Sequence, residues 1–287
     1  MLFRLKTYVR RSLNRFFMFD RPVSFPFISG DGFRALAQHY FDEISDLNSA
    51  NVEENNIVFV RSDFLKDFFA KKHPQIKYPY ILISHNDDTN IDESYTKFID
   101  KKIIHWFAQN LLFKHPQVTP IPIGLENLRY NHKGKLDYFN QDGFKKENDT
   151  VIKYNFSVRS NKIRIIAQDN LEKTTLAEKI NPKDQDDYVQ EIKRSYFVAS
   201  PDGRGVDCHR TWEAVYLKAI PIVTNNPMTE YFKEIGLPIA LIDSWTKINE
   251  LTKDNLKNIY SDTLKDEIPR CAYMGYWQDK ILSYRKK

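Results

Sequence analysis

The chain of 287 residues predicts an α/β protein built from two parallel-sheet domains and closed by a C-terminal helix. Three observations carry this expectation. Short apolar runs alternate with helix-period segments in both halves, the pattern of strand–helix–strand units. A polar stretch at 126–150, rich in Asn, Lys, Asp and Gly, separates the two alternations and reads as a connection. The run YFVASPDGRGVDCHRTWEAVYLKAIPIV at 196–223 contains two apolar strands and an intervening helix that opens near Cys208, a complete βαβ unit. The domains expected are therefore 21–150 and 151–265, with a basic helix at 1–20 and a closing helix at 266–287.

The elements follow in order. Residues 1–17 intersperse Leu2, Phe3, Leu5, Val9, Leu13, Phe16 and Phe17 with Arg4, Lys6, Arg10, Arg11 and Arg15. Such a basic amphipathic helix suits an anionic membrane surface, or packs on the body with its arginines solvated. The arginines interrupt the apolar core that a signal peptide needs. The turn SGDGFR leads into a helix whose apolar face is Phe33, Leu36, Ala37 and Tyr40. Strands are expected at 57–60, 80–83, 103–107 and 118–123, with helices at 63–71 and 92–100. In the second half, strands are expected at 151–156, 196–199, 220–223 and 238–242. Helices fall near 163–167, 188–194 and 229–233, another opens near 208, and from 248 onward the chain reads as helical, ending in a helix over 273–284.

Composition excludes several classes. No run of 18 apolar residues occurs, so no membrane span is expected. The net charge of +5 is diffuse, which argues against a nucleic-acid partner and favours small anions. Cys208 and Cys271 are the only cysteines and have no metal-ligand spacing. A disulfide framework or zinc site is thus not expected, and the free thiols agree with a reducing compartment. The loop at 200–207 is neither a Walker loop, lacking GK[ST], nor a dinucleotide fingerprint, because its glycine spacing differs.

That loop carries the chemistry. It sits at the C-terminal end of a parallel strand, where open α/β sheets bind ligands. Gly203 and Gly205 let backbone approach a ligand, and Ser200 opens the turn. The N-terminus of the next helix attracts anions. Arg204 and Arg210 add fixed positive charge suited to a diphosphate. Glu213 lies one turn beyond Arg210 and can accept hydrogen bonds from a sugar or ribose hydroxyl. His209 can contact the same ligand or serve in packing. Arg159 and Arg164 follow the 151–156 strand and join the cationic set. Asp207 is expected as a helix N-cap, and 184–187 as a solvated cap rather than a metal site.

Ser200, Pro201, Gly203, Gly205, Asp207, Arg210, Trp212, Glu213, Ala214 and 221–223, together with NFSVRSNKIR at 155–164, resemble the donor-binding half of exostosin-like inverting glycosyltransferases. The likeness to α-1,3-fucosyltransferases is looser. It covers 151–242. It implies two Rossmann-like domains of the GT-B type and a C-terminal helix that can cross back to the first domain. It also implies a nucleotide-sugar donor as co-substrate, a saccharide acceptor, inversion, and charge stabilisation by arginines without an essential metal. The base is expected from the first domain: Asp88 or Asp87 after the 80–83 strand, beside His85, with Asp31 as the next candidate. The setting implied is cytoplasmic, at the inner membrane face, with a surface polysaccharide or lipid-linked glycan as acceptor. A non-catalytic saccharide-binding scaffold, a phosphate-handling enzyme and a metal-dependent single-domain transferase are the alternatives.

Overall fold

The computed structural model describes residues 21–130, 136–139, 146–263 and 267–285. The basic segment 1–17 lies outside the described residues. Two parallel five-stranded sheets account for the strands. The first comprises β1 (His39–Phe41), β2 (Ile57–Arg61), β3 (Tyr80–His85), β4 (Ile103–Ala108) and β5 (Val118–Pro120), in that spatial order. The second comprises β6 (Asn148–Tyr154), β7 (Ala177–Lys179), β8 (Ser195–Ala199), β9 (Ile220–Thr224) and β10 (Ala240–Ile242), in the order β10-β9-β8-β6-β7.

The helices used below are α1 (Gly30–Ala35), α2 (Ile163–Leu171), α3 (Gln185–Arg194), α4 (His209–Tyr216), α5 (Pro227–Glu234), α6 (Lys253–Thr263) and α7 (Met274–Leu282). Their limits follow local chemistry. Asp184 caps α3 by accepting from the Asp187 N–H, as the sequence predicts for the 184–187 run. Asn226 and Thr229 form a reciprocal capping box on α5, with Pro227 in its first turn. Three expected helices differ: 92–100 is a 3-10 helix over Glu93–Phe98, 63–71 is broken into 3-10, α and π turns, and the helix after SGDGFR is cut short. α1 spans only six residues, and His39–Phe41 instead pairs in parallel with β2. The Ile57 N–H donates to Gln38 Oε1 and the Gln38 N–H donates to Ile57 O, so edge pairing overrides the helical period of Phe33, Leu36, Ala37 and Tyr40.

The two strand orders place the connections differently. A sheet ordered 1-2-3-4-5 with right-handed crossovers puts every connection on one face. Leu65, Phe68, Phe69, Ile76 and Tyr95 of those connections pack there against Val58, Val60, Leu82 and Trp106. The opposite face, with Ile57, Phe59, Ile81, Ile83 and Phe107, is covered by Ile28 and Phe33 from before β1 and by later parts of the chain. Trp277 and Ile281 of α7 join this face, and Tyr284 stacks on His105 at 4.0 Å. The C-terminal helix thus crosses back onto the first sheet.

The second sheet reverses direction at β6, so helices cover both faces. α2 and α6 pack outside with Ile152, Phe197, Ile220 and Ile222. α3, α4 and α5 pack inside with Val198 and Val223, in the same cluster as the inner face of the first sheet. An aromatic chain runs across this middle layer: Trp212 to Phe232 at 5.5 Å, Phe232 to Trp277 at 6.4 Å, and Trp277 to Phe33 at 6.3 Å.

Candidate functional site

In a doubly wound sheet the crevice opens where the strand order reverses, beyond the C-terminal strand ends. Here that point lies between β6 and β8. A cleft with about 1020 Å³ of empty space occupies it, lined by Asn155, Arg164, Asp184, Tyr188, Cys208, His209, Arg210, Glu213 and, from the first domain, Glu126. A second cavity of about 570 Å³ lies at the C-terminal ends of β3 and β4. Its walls include Gly30, His85, Asn86, Asp87, Asp88, Gln109, Asn127 and Arg129. Glu126 and His209 line both, so the two cavities meet at these side chains.

Arg210 is the charged centre of the first cleft. Its Nη2 donates to Asn155 O at 2.7 Å, while its buried Nε has no hydrogen-bond partner among the described residues. Burial acts to lower its pKa, but Tyr188, Cys208 and Glu213 more than offset that, and the guanidinium stays charged. Glu213 is buried beside it and accepts from the Tyr188 hydroxyl at 3.2 Å. Burial, then Glu213, push the Tyr188 pKa upward, so that hydroxyl keeps its proton. The N-cap of α4 is Cys208, which makes no side-chain cap hydrogen bond. A half-buried guanidinium beside an uncapped helix start is an arrangement that attracts phosphate.

The other cationic and loop residues divide. Arg164 lines the cleft but spends its donors on backbone: Nε on Asp202 O at 2.8 Å, Nη1 on Ser157 O and Nη2 on Pro201 O. It clamps the β6 and β8 loops together, and burial lowers its pKa. Arg159 and Arg204 are exposed and line neither cavity. Ser200 is buried, its hydroxyl bonded to Thr211 Oγ1 at 2.9 Å and to Cys208 Sγ, which holds the loop to α4 instead of facing the cleft.

The glycines lie against protein groups. Gly203 O accepts from Asn161 Nδ2, and a Cβ at Gly203 would sit 3.3 Å from Arg164 Nη2. A Cβ at Gly205 would sit 2.4 Å from Asn110 Nδ2, on the first domain. Asp207 also differs from its expected capping role. It is buried at the seam, where Oδ2 accepts the Ile123 N–H at 2.8 Å and the Trp212 indole N–H at 3.0 Å. Burial pushes its pKa up to about 6 despite those donors.

His209 Nδ1 lies 2.7 Å from Gly124 O. A carbonyl only accepts, so Nδ1 carries the proton and Nε2 is the acceptor in the neutral ring.

The first-domain candidates also separate. Asp88 is exposed on the second cavity and makes no hydrogen bond recorded among the described residues. Asp87 lines it too, with Oδ1 accepting the Thr89 N–H at 2.9 Å and Oδ2 facing Arg61 Nη2 at 3.5 Å. Asp31 lies outside both cavities. Its Oδ1 faces Arg21 Nη1 at 3.1 Å and its Oδ2 faces Arg129 Nε at 3.4 Å, so it is held in a buried ion network. His85 has both nitrogens engaged: Nδ1 accepts from the Asn86 N–H and Nε2 donates to Pro122 O at 3.0 Å. Burial lowers its pKa to about 4, which keeps it neutral. Gly30 is required here, since a Cβ would lie 1.7 Å from Asn86 Oδ1.

Glu126, Tyr188 and Asn155 are among the cavity residues that the sequence does not single out, as are Gln109, Asn127 and Arg129. Glu126 falls at the start of the polar connection. The available signal was Gly124 at the end of the VTPIPIG run: its φ of 68° marks the turn that brings Glu126 to the strand ends. Among the described residues no group of three or more His, Cys, Asp or Glu side chains is placed to hold a metal ion. No helix of the described residues is long and apolar enough to cross a membrane. In comparisons with known proteins, no family model matches the chain and no curated protein matches it.

Proposed function

We propose that the protein is an inverting glycosyltransferase of the GT-B kind, which moves a sugar from a nucleotide-sugar donor to a saccharide acceptor without an essential metal. The observation that carries this reading is the pair of cavities meeting at Glu126 and His209. One presents Arg210, whose Nε lacks a partner, beside the uncapped start of α4. The other presents amides and carboxylates, among them Asp87 and Asp88. Diphosphate charge belongs in the first, and a polyhydroxylated acceptor belongs in the second.

The chemistry asks each side for one thing. In the transfer the acceptor oxygen attacks the anomeric carbon as the bond to the diphosphate breaks. The leaving diphosphate gains negative charge, and Arg210 with the α4 N–H groups offsets it. Glu213 accepts a donor hydroxyl, and Arg164 keeps the two loops in position for it. Asp87 and Asp88 orient acceptor hydroxyls. Holding both substrates in adjoining cavities supplies orientation and excludes water.

The test is thermal unfolding of wild type and Arg210→Ala with UDP, GDP and their sugar conjugates, in EDTA. A ligand at ~100 times its Kd stabilises by about 2.7 kcal/mol. That amounts to a melting shift of several degrees at this chain length. A shift with one nucleotide family, absent in Arg210→Ala, supports the reading. No shift with any nucleotide, with or without added divalent metal, refutes it in favour of a saccharide-binding scaffold.

A further inference from the structure

We infer that Glu126 is the general base of this transfer, in place of Asp88, Asp87 or Asp31; the inference rests on the transferase reading above. A base must reach the acceptor hydroxyl where that hydroxyl meets the anomeric carbon. That meeting point is the junction of the two cavities. Among the described residues, Glu126 is the one carboxylate in both linings. Asp87 and Asp88 line only the acceptor side, and Asp31 lines neither.

Its surroundings fit the role. Glu126 Oε2 is fully covered and has no hydrogen-bond partner among the described residues. A covered carboxylate oxygen without a donor is costly to the fold. An acceptor hydroxyl at the junction would meet the Glu126 carboxylate where that side chain lines the two cavities. Asp31 and Asp87, by contrast, already face arginines. Those oxygens are already engaged, whereas Glu126 pairs with no arginine among the described residues. The backbone also supports the placement. Gly124 turns the chain at positive φ, and a Cβ there would lie 2.2 Å from Ile28 O. The Leu125 N–H then donates to Ile28 O at 2.8 Å, so the residue before Glu126 is anchored.

The step balances as follows. The acceptor hydroxyl gives its proton to the Glu126 carboxylate. Its oxygen forms a bond to the anomeric carbon from the face opposite the diphosphate. The bond from that carbon to the diphosphate oxygen breaks, and its electron pair leaves with the nucleoside diphosphate.

The experiment compares wild type, Glu126→Gln and Asp88→Asn. Release of nucleoside diphosphate is followed from UDP-glucose, UDP-N-acetylglucosamine, GDP-mannose and GDP-fucose, with simple saccharides as acceptors. Binding of the same donors is followed by thermal shift. Glu126→Gln should retain the donor-induced shift and lose turnover by roughly 10²–10⁴-fold. The acid limb of its pH–rate profile should disappear. Asp88→Asn should act on the acceptor KM and keep the acid limb. Turnover by Glu126→Gln within threefold of wild type, or an acid limb that persists, overturns the assignment while the transferase reading stands. Loss of donor binding in Glu126→Gln also overturns it, because the residue would then serve the donor pocket alone. Absence of both donor binding and turnover in wild type removes the transferase reading and this inference with it.

Discussion

The seam between the two sheets can be tested by one added methyl group. At Gly205, outside the left-handed region, an alanine Cβ would lie 2.4 Å from Asn110 Nδ2 and 2.8 Å from both its Cγ and Oδ1. Asn110 has no room to yield. It is fully buried, sits at φ 55°, and its Oδ1 accepts the Asp207 N–H at 3.1 Å. Gly205→Ala should therefore cost about 1–3 kcal/mol, the usual range for overpacking a filled site. Asn110→Gly alone leaves the buried Asp207 N–H without its acceptor, about 1–3 kcal/mol, partly offset by placing glycine at a left-handed position. With the Asn110 side chain gone, the added methyl has space. The double variant should thus be no less stable than Asn110→Gly, which makes the coupling about 1–3 kcal/mol and favourable. Urea denaturation of all four proteins gives the number, read from midpoints at unchanged m-value. Additivity within about 0.5 kcal/mol would mean that these residues do not touch, and the contact between the two sheets would be wrong there.

Two further outcomes follow from buried groups. Burial lowers the pKa of His85 and His105 to about 4, against 6.5 for the free side chain. Their stabilisation is present above the unfolded value and is lost as pH falls through that window, about 2 kcal/mol each between pH 7 and pH 5. Asp207, raised to about 6, has the opposite sign and recovers about 1 kcal/mol over the same range. Unfolding free energy should therefore fall by about 3 kcal/mol from pH 7 to pH 5, and a flat profile would refute the burial of these rings. The Tyr216 hydroxyl accepts the Ile28 N–H at 3.1 Å and donates to Ala272 O at 2.7 Å. It thus joins α4 to segments from both ends of the chain. Tyr216→Phe should cost about 1–3 kcal/mol in chemical denaturation, and a change below about 0.5 kcal/mol would refute that tie.

The sequence by itself determined most of the strands and the helix that bears Arg210. IVFV, YILI and IPIV are continuous apolar runs because a parallel strand is covered on both faces, and all three are strands. Arg210 and Glu213 share a helix face because they are three residues apart, and both line the cleft. Trp212 is in the core, as its spacing with Val215 and Tyr216 predicts. Local pattern was insufficient where a residue's partner lies far along the chain. β1 exists because β2 pairs with it, and β7, three residues with half-exposed and exposed side chains, has no apolar signature at all. Gly205 answers to Asn110, Asp207 to Ile123, and Asp31 to Arg129, all partners from distant sequence. Strand order, which leaves one face of the first sheet to α7 and opens the cleft between β6 and β8, is likewise invisible to periodicity. Period tells which face of an element is buried, but not what buries it. For the same reason Glu126 reads as one more polar residue in a connection, until folding sets it where the two cavities meet.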